Sequence, residues 1–161
     1  GFMGTFLAER CGLSSTPAGL VMMFYGLACL AGGSLSGRIG GWRGLRGTIL
    51  VGEASGLAAA GLLLVSTVTG SWVPALVAAA CLGLGYILVQ PTLVSLSMDV
   101  GPAQTGLCTG LIGFGVFVGG GAGSTLGGFA ISAGGYEALW IAAAAALALQ
   151  TVIGWQALPQ K

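Results

Sequence analysis

The chain has 161 residues, 55% of them hydrophobic and only 6% charged, with a net charge of +1. Soluble domains carry about 25% charged residues, so this chain lacks the polar surface to face water and reads as a polytopic membrane protein. Its small net charge offers no field for nucleic acid. Without histidine it also lacks the commonest general base and metal ligand, and no catalytic residue, cofactor or metal site is expected.

Residues 1–8 read as the stump of a first helix. Only these eight precede Glu9-Arg10, whereas a span takes about 20, so the sequence reads as cut within that helix. No basic head or cleavage site marks a signal peptide. Residues 9–17 form a polar loop, and Ser14-Ser15-Thr16-Pro17 is a helix-start signal. A second helix is expected at 18–35, with Met22 and Met23 as lipid or core filler.

The next stretch, 36–46, carries Arg38, Arg43 and Arg46, three of the five Lys and Arg residues. A third helix follows at 47–67. Thr69-Gly70-Ser71-Trp72 is a turn, with Trp72 suited to the membrane interface. The fourth helix covers 74–98, and Pro91 after Gln90 predicts a kink. Residues 99–104 are a loop, with Pro102 opening the fifth helix at 105–131. At about 40 Å that helix exceeds the bilayer core and should tilt or bend. Ser132-Ala133-Gly134-Gly135 is a turn, the sixth helix spans 136–158, and Lys161 closes the chain. Cys11, Cys29, Cys81 and Cys108 have no C-x-x-C spacing and read as small buried hydrophobes.

Short loops rich in Lys and Arg stay in the cytoplasm. Loop 36–46 is therefore expected inside, with the 99–104 loop and the C-terminus, in the plasma (cell inner) membrane. The 9–17 loop and the turns at 69 and 134 are then outside. The chain also repeats itself. With Ala18 aligned on Thr105, Gly19, Gly26, Gly32, Gly33, Gly40 and Gly41 fall on Gly106, Gly113, Gly119, Gly120, Gly127 and Gly128. Three helices would thus recur with opposite topology. The expected fold is an all-α, six-helix half-bundle built as a 3+3 inverted repeat with a truncated first helix, forming one transmembrane domain over 1–161.

These features resemble the C-terminal half of a major facilitator superfamily transporter. Gly33, Arg38 and Gly40 match the loop signature G-x-x-x-D-R-x-G-R-[RK], while Gly37 stands at its acidic position and Gly41-Trp42 at its basic pair. The stretches from Asp99 to Gly106, ahead of a glycine-rich helix, and from Gly134 to Trp140 look like the inner loop, eleventh helix and last helix of the family's exporters. The resemblance implies helices seven to twelve of a twelve-helix carrier with its N-terminal six-helix half missing. Placement as helices one to six is the alternative.

Four groups of residues are candidates. Gly83, Tyr86, Gln90 and Ser97 share one stripe of the fourth helix. With Pro91, which frees a carbonyl, they are the expected substrate pathway, and an interhelical hydrogen bond from Gln90 is the competing role. Arg38, Arg43, Arg46 and Asp99 form an expected network on the inner face, with an Arg38–Asp99 ion pair and Arg43 as the alternative partner of Asp99. Gly115, Gly119, Gly123 and Gly127 form a small-residue ladder for helix packing. Glu53 is a possible intramembrane acid, read in preference as sitting near the inner interface and pairing with Arg46 or Arg43 or reaching up to water.

Transport of a small solute by alternating access is the expected function, as half of a secondary carrier, and by resemblance a proton-coupled drug or metabolite exporter. The expected partners are a small-molecule substrate, the lipid bilayer and the other half, with no nucleic acid. The alternative is a membrane scaffold or partner subunit without transport of its own. An intramembrane enzyme is disfavoured by the lack of His and of G-x-S-x-G.

Overall fold

A computed structural model describes residues 2–100 and 102–157. Lys161 and Leu158 lie outside the described residues. The described residues form four α-helices, α1 (Met3–Cys11), α2 (Ser15–Thr69), α3 (Trp72–Val100) and α4 (Thr105–Ala157), with a 3-10 turn at Pro102–Gln104 before α4. Six helices were expected. Four result because α2 and α4 each remain helical up to and beyond an internal glycine break.

α1 extends through Glu9 and Arg10 and stops at Gly12, where φ is 66° and the backbone N–H returns to the Leu7 carbonyl. The following loop is accordingly short. α2 starts at Ser15 rather than Ala18. Ser14 makes no side-chain cap, but its carbonyl accepts from the Ala18 N–H at 3.1 Å.

A straight helix of 55 residues would be about 80 Å long against a hydrocarbon core of about 30 Å. Gly44, at φ 68° and ψ 179°, breaks it, in a backbone conformation that favours glycine. Most of the stretch expected as a basic loop, 36–46, is therefore helical, and the reversal is confined to this one residue.

Contacts with α3 define the reversal. In the first arm of α2, Tyr25 and Ala28 meet Gly83, and Gly32 meets Leu84 and Ile87, so this arm runs parallel to α3. In the second arm, Gly52 meets Leu88 and Val89, while Ser55 Oγ donates to the Cys81 carbonyl at 2.8 Å, so this arm runs antiparallel. A Cβ at Gly85 would lie 2.8 Å from the Gly52 carbonyl oxygen. Small residues thus let the two backbones approach where a side chain would hold them apart.

α4 breaks at Gly134 and Gly135, the second with φ 68°, inside the expected turn. Gly127 faces Leu139 across this break. The second arm of α4 lies antiparallel to the second arm of α2, as four contacts show in order. Trp140 meets Thr67, Leu147 meets Gly56, Gln150 meets Glu53, and Trp155 meets Arg46.

The densest packing is at the Gly70 end. Phe6 is fully buried, with the Tyr136 ring 5.1 Å and the Trp140 ring 5.5 Å away, both edge-on. Polar groups there are paired. Trp140 Nε1 donates to Thr67 Oγ1 at 3.1 Å, Tyr136 OH to Glu9 Oε2 at 2.8 Å, and Ser66 Oγ to the Ser71 carbonyl at 2.6 Å. The first arm of α4 is packed least, with Leu107, Leu111, Phe114, Phe117 and Phe129 all exposed.

Candidate functional site: a cavity with one buried carboxylate

Where the two arms of α2, α3 and the two arms of α4 come together they leave a cavity of about 640 Å³. Its polar lining comes from Glu53, Gln90, Gln150, Tyr25 and Tyr86, and the rest is Gly, Leu, Ile and Val. α3 contributes through Leu82, Tyr86, Val89 and Leu93, positions three or four apart and so on one helix face.

Glu53 is the unusual member, only 3% exposed. Its Oε1 accepts from Gln150 Nε2 at 3.3 Å, while Oε2 is buried with no hydrogen-bond partner among the described residues. This corrects the expected pairing with Arg43 or Arg46. Arg43 is exposed. Arg46 lies two turns back, about 10 Å along the arm, and is engaged elsewhere. It donates from Nη2 to the Trp155 carbonyl and stacks over the Trp155 ring, 4.5 Å from its centroid. Glu53 therefore belongs to the cavity and to a polar contact across helices.

The expected pathway residues separate. Tyr86 and Gln90 line the cavity. Gln90 makes no hydrogen bond to protein among the described residues, so it is not the strut between helices that would compete with a solute-facing role. Gly83, Pro91 and Ser97 do not line it. Gly83 is covered by the Tyr25 backbone and accepts from Cys29 Sγ at 3.3 Å. Pro91 is exposed away from the cavity, and Ser97 Oγ turns back to the Val94 carbonyl at 2.7 Å. The Gly83 end of the stripe is filled by the first arm of α2.

The glycine ladder divides as well. Gly115 lines the cavity, Gly119 and Gly123 have open space where a Cβ would be, and Gly127 packs on Phe2 and Leu139. The expected inner-face network does not assemble. Arg38, Arg43 and Asp99 are exposed, and among the described residues Arg38 and Asp99 form no ion pair. Asp99 instead stands in the last turn of α3, one residue before the helix ends at Val100. The cysteines are in no disulfide. No cluster of potential metal ligands occurs among the described residues.

Sequence reasoning missed Gln150, Tyr25 and Trp155. Gln150 carried the clearest signal, being an amide in an otherwise apolar final helix that also needs a partner.

Among the described residues, three helices are long and apolar enough to cross a membrane. Searches of curated proteins and of solved structures return no significant match. The sequence profile described as Major Facilitator Superfamily matches residues 1–123, most of the chain. This chain therefore belongs to the major facilitator superfamily, whose members carry small solutes across membranes and are not enzymes.

Proposed function

We propose that the chain is the C-terminal, six-arm half of a proton-coupled exporter and that the cavity around Gln90 and Glu53 is its half of the solute path. The observation that carries this reading is Gln90, an amide on the wall of the cavity with no hydrogen bond to protein among the described residues. A buried amide offers two donors and two acceptor positions, so it can orient a polar solute without the cost of burying a charge. Glu53 supplies the acid that proton coupling requires: taking up a proton cancels a charge that is expensive in hydrocarbon.

In this reading the helical arms on either side of Gly44 and Gly134, with α1 and α3, are two inverted sets of three. The exposed apolar face of α4's first arm, including Leu111, Phe114 and Phe117, meets the other half of the carrier. Loop 36–46 and the C-terminus face the cytoplasm by the positive-inside rule.

The test is solute accumulation in cells lacking their own exporters. Expression of the full-length protein should lower accumulation of at least one compound in a panel of small solutes. Gln90→Leu should abolish the effect at unchanged membrane abundance. A scaffold would leave accumulation of every solute unaltered.

A further inference from the structure

Among the described residues, Glu53 is the only charged one that lines the cavity. Any solute held there lies beside one carboxylate within an otherwise apolar wall. An anion would be repelled by the ionised carboxylate at low dielectric, and a neutral solute would leave that charge uncompensated unless the group also takes up a proton. An organic cation fills the space and neutralises the charge in one step. Two further observations point the same way. Oε2 of Glu53 is buried with no hydrogen-bond partner among the described residues, so it is available as a counter-charge while Gln150 holds Oε1. The rings of Tyr25 and Tyr86, with centroids 6.4 Å apart and tilted by 43°, border the same cavity. Aromatic faces attract organic cations, the more so when water is excluded. The volume of about 640 Å³ lies within the range of roughly 300–1,000 Å³ typical of small-molecule sites.

We propose that the cavity binds a lipophilic organic monocation, with Glu53 as its counter-charge and Tyr25 and Tyr86 as its aromatic walls. Gln150 is a positioning residue, which fixes the carboxylate by one oxygen and leaves the other for the ligand. This rests on the reading of the cavity as a solute path and names the class of solute that fits it.

Equilibrium binding of two probes to the full-length protein in phosphatidylcholine nanodiscs tests it, with binding to empty nanodiscs subtracted. Tetraphenylphosphonium and tetraphenylborate have nearly the same size and shape and opposite charge. The phosphonium should bind saturably and the borate at least tenfold more weakly. Glu53→Gln should weaken phosphonium binding tenfold or more and leave borate binding no weaker. Absence of saturable phosphonium binding, or equal binding of the two ions, overturns the proposal. Where Glu53→Gln fails to fold, the comparison of the two ions on the unmodified protein still decides. If Glu53→Gln binds phosphonium normally while Gln90→Leu abolishes solute export, the cation site is wrong and the solute path stands. If Gln90→Leu changes neither binding nor export, the solute path itself is wrong.

Discussion

The Gly70 end of the protein and the cavity below it are built from the same residue types, yet their polar groups are treated in opposite ways. At the Gly70 end Trp140, Tyr136 and Ser66 each donate to a defined acceptor within 3.1 Å, and Phe6 is wrapped by aromatic rings. In the cavity, Glu53 leaves an oxygen unpaired and Gln90 bonds to no protein atom among the described residues. Satisfied polar groups in an apolar solvent tie helices together, whereas unsatisfied ones weaken the fold and persist where a ligand or proton completes them. The first region should thus govern stability and the second activity.

The largest expected effect is on stability at the Gly70 end. Phe6→Ala removes a fully buried ring and should cost about 3–5 kcal/mol, read as a lower unfolding temperature of the full-length protein in detergent. Export per folded molecule should be little changed. Gly85→Ala should cost about 1–3 kcal/mol by pressing a methyl on the Gly52 carbonyl, measured in the same way.

The cavity should respond in the opposite sense. Replacing both Glu53 and Gln150 by leucine removes a half-satisfied pair. Such double replacement is nearly neutral or stabilising, whereas removing one partner alone costs about 1–3 kcal/mol. The double variant should therefore melt no lower than the parent and should lose export. A double variant that melts much lower and keeps export would place Glu53 with the structural groups. The smallest effect is at Arg46. Lysine there keeps the charge but loses the planar stack on Trp155, and it should cost about 0.5–1 kcal/mol with no change in export.

Much of the fold was legible because its punctuation is chemical. The turn at Gly70 and the break at Gly134-Gly135 fall in clusters of small and polar residues, and composition alone excluded a soluble protein. The helical character of 36–43 was not legible, because arginines between glycines read as loop, and only the single positive φ at Gly44 turns the chain. The orientation of Glu53 was hidden for a different reason. In a helix apolar on all sides, periodicity no longer distinguishes the face toward lipid from the face toward neighbouring helices. The partner that fixes Glu53 is Gln150, 97 residues away, and nothing local announces it. That Gln90 and Tyr86 line the cavity was easier to anticipate, because a polar side chain stands out in such a helix. Gly83 on the same stripe was misassigned because the close approach of Tyr25 is a tertiary fact.

The central claim is that the cavity beside Gln90 is a wetted solute path rather than a gap filled by lipid. Cysteine chemistry reads this directly, since thiolate forms only in contact with water. A single cysteine at Gln90, in the full-length protein freed of its native cysteines, should react with a membrane-impermeant methanethiosulfonate from one side of sealed vesicles. A cysteine at Leu149, exposed on the outer surface of α4's second arm, should not. Equal silence at both positions, from either side of the membrane, would contradict the assignment of the cavity as a transport path.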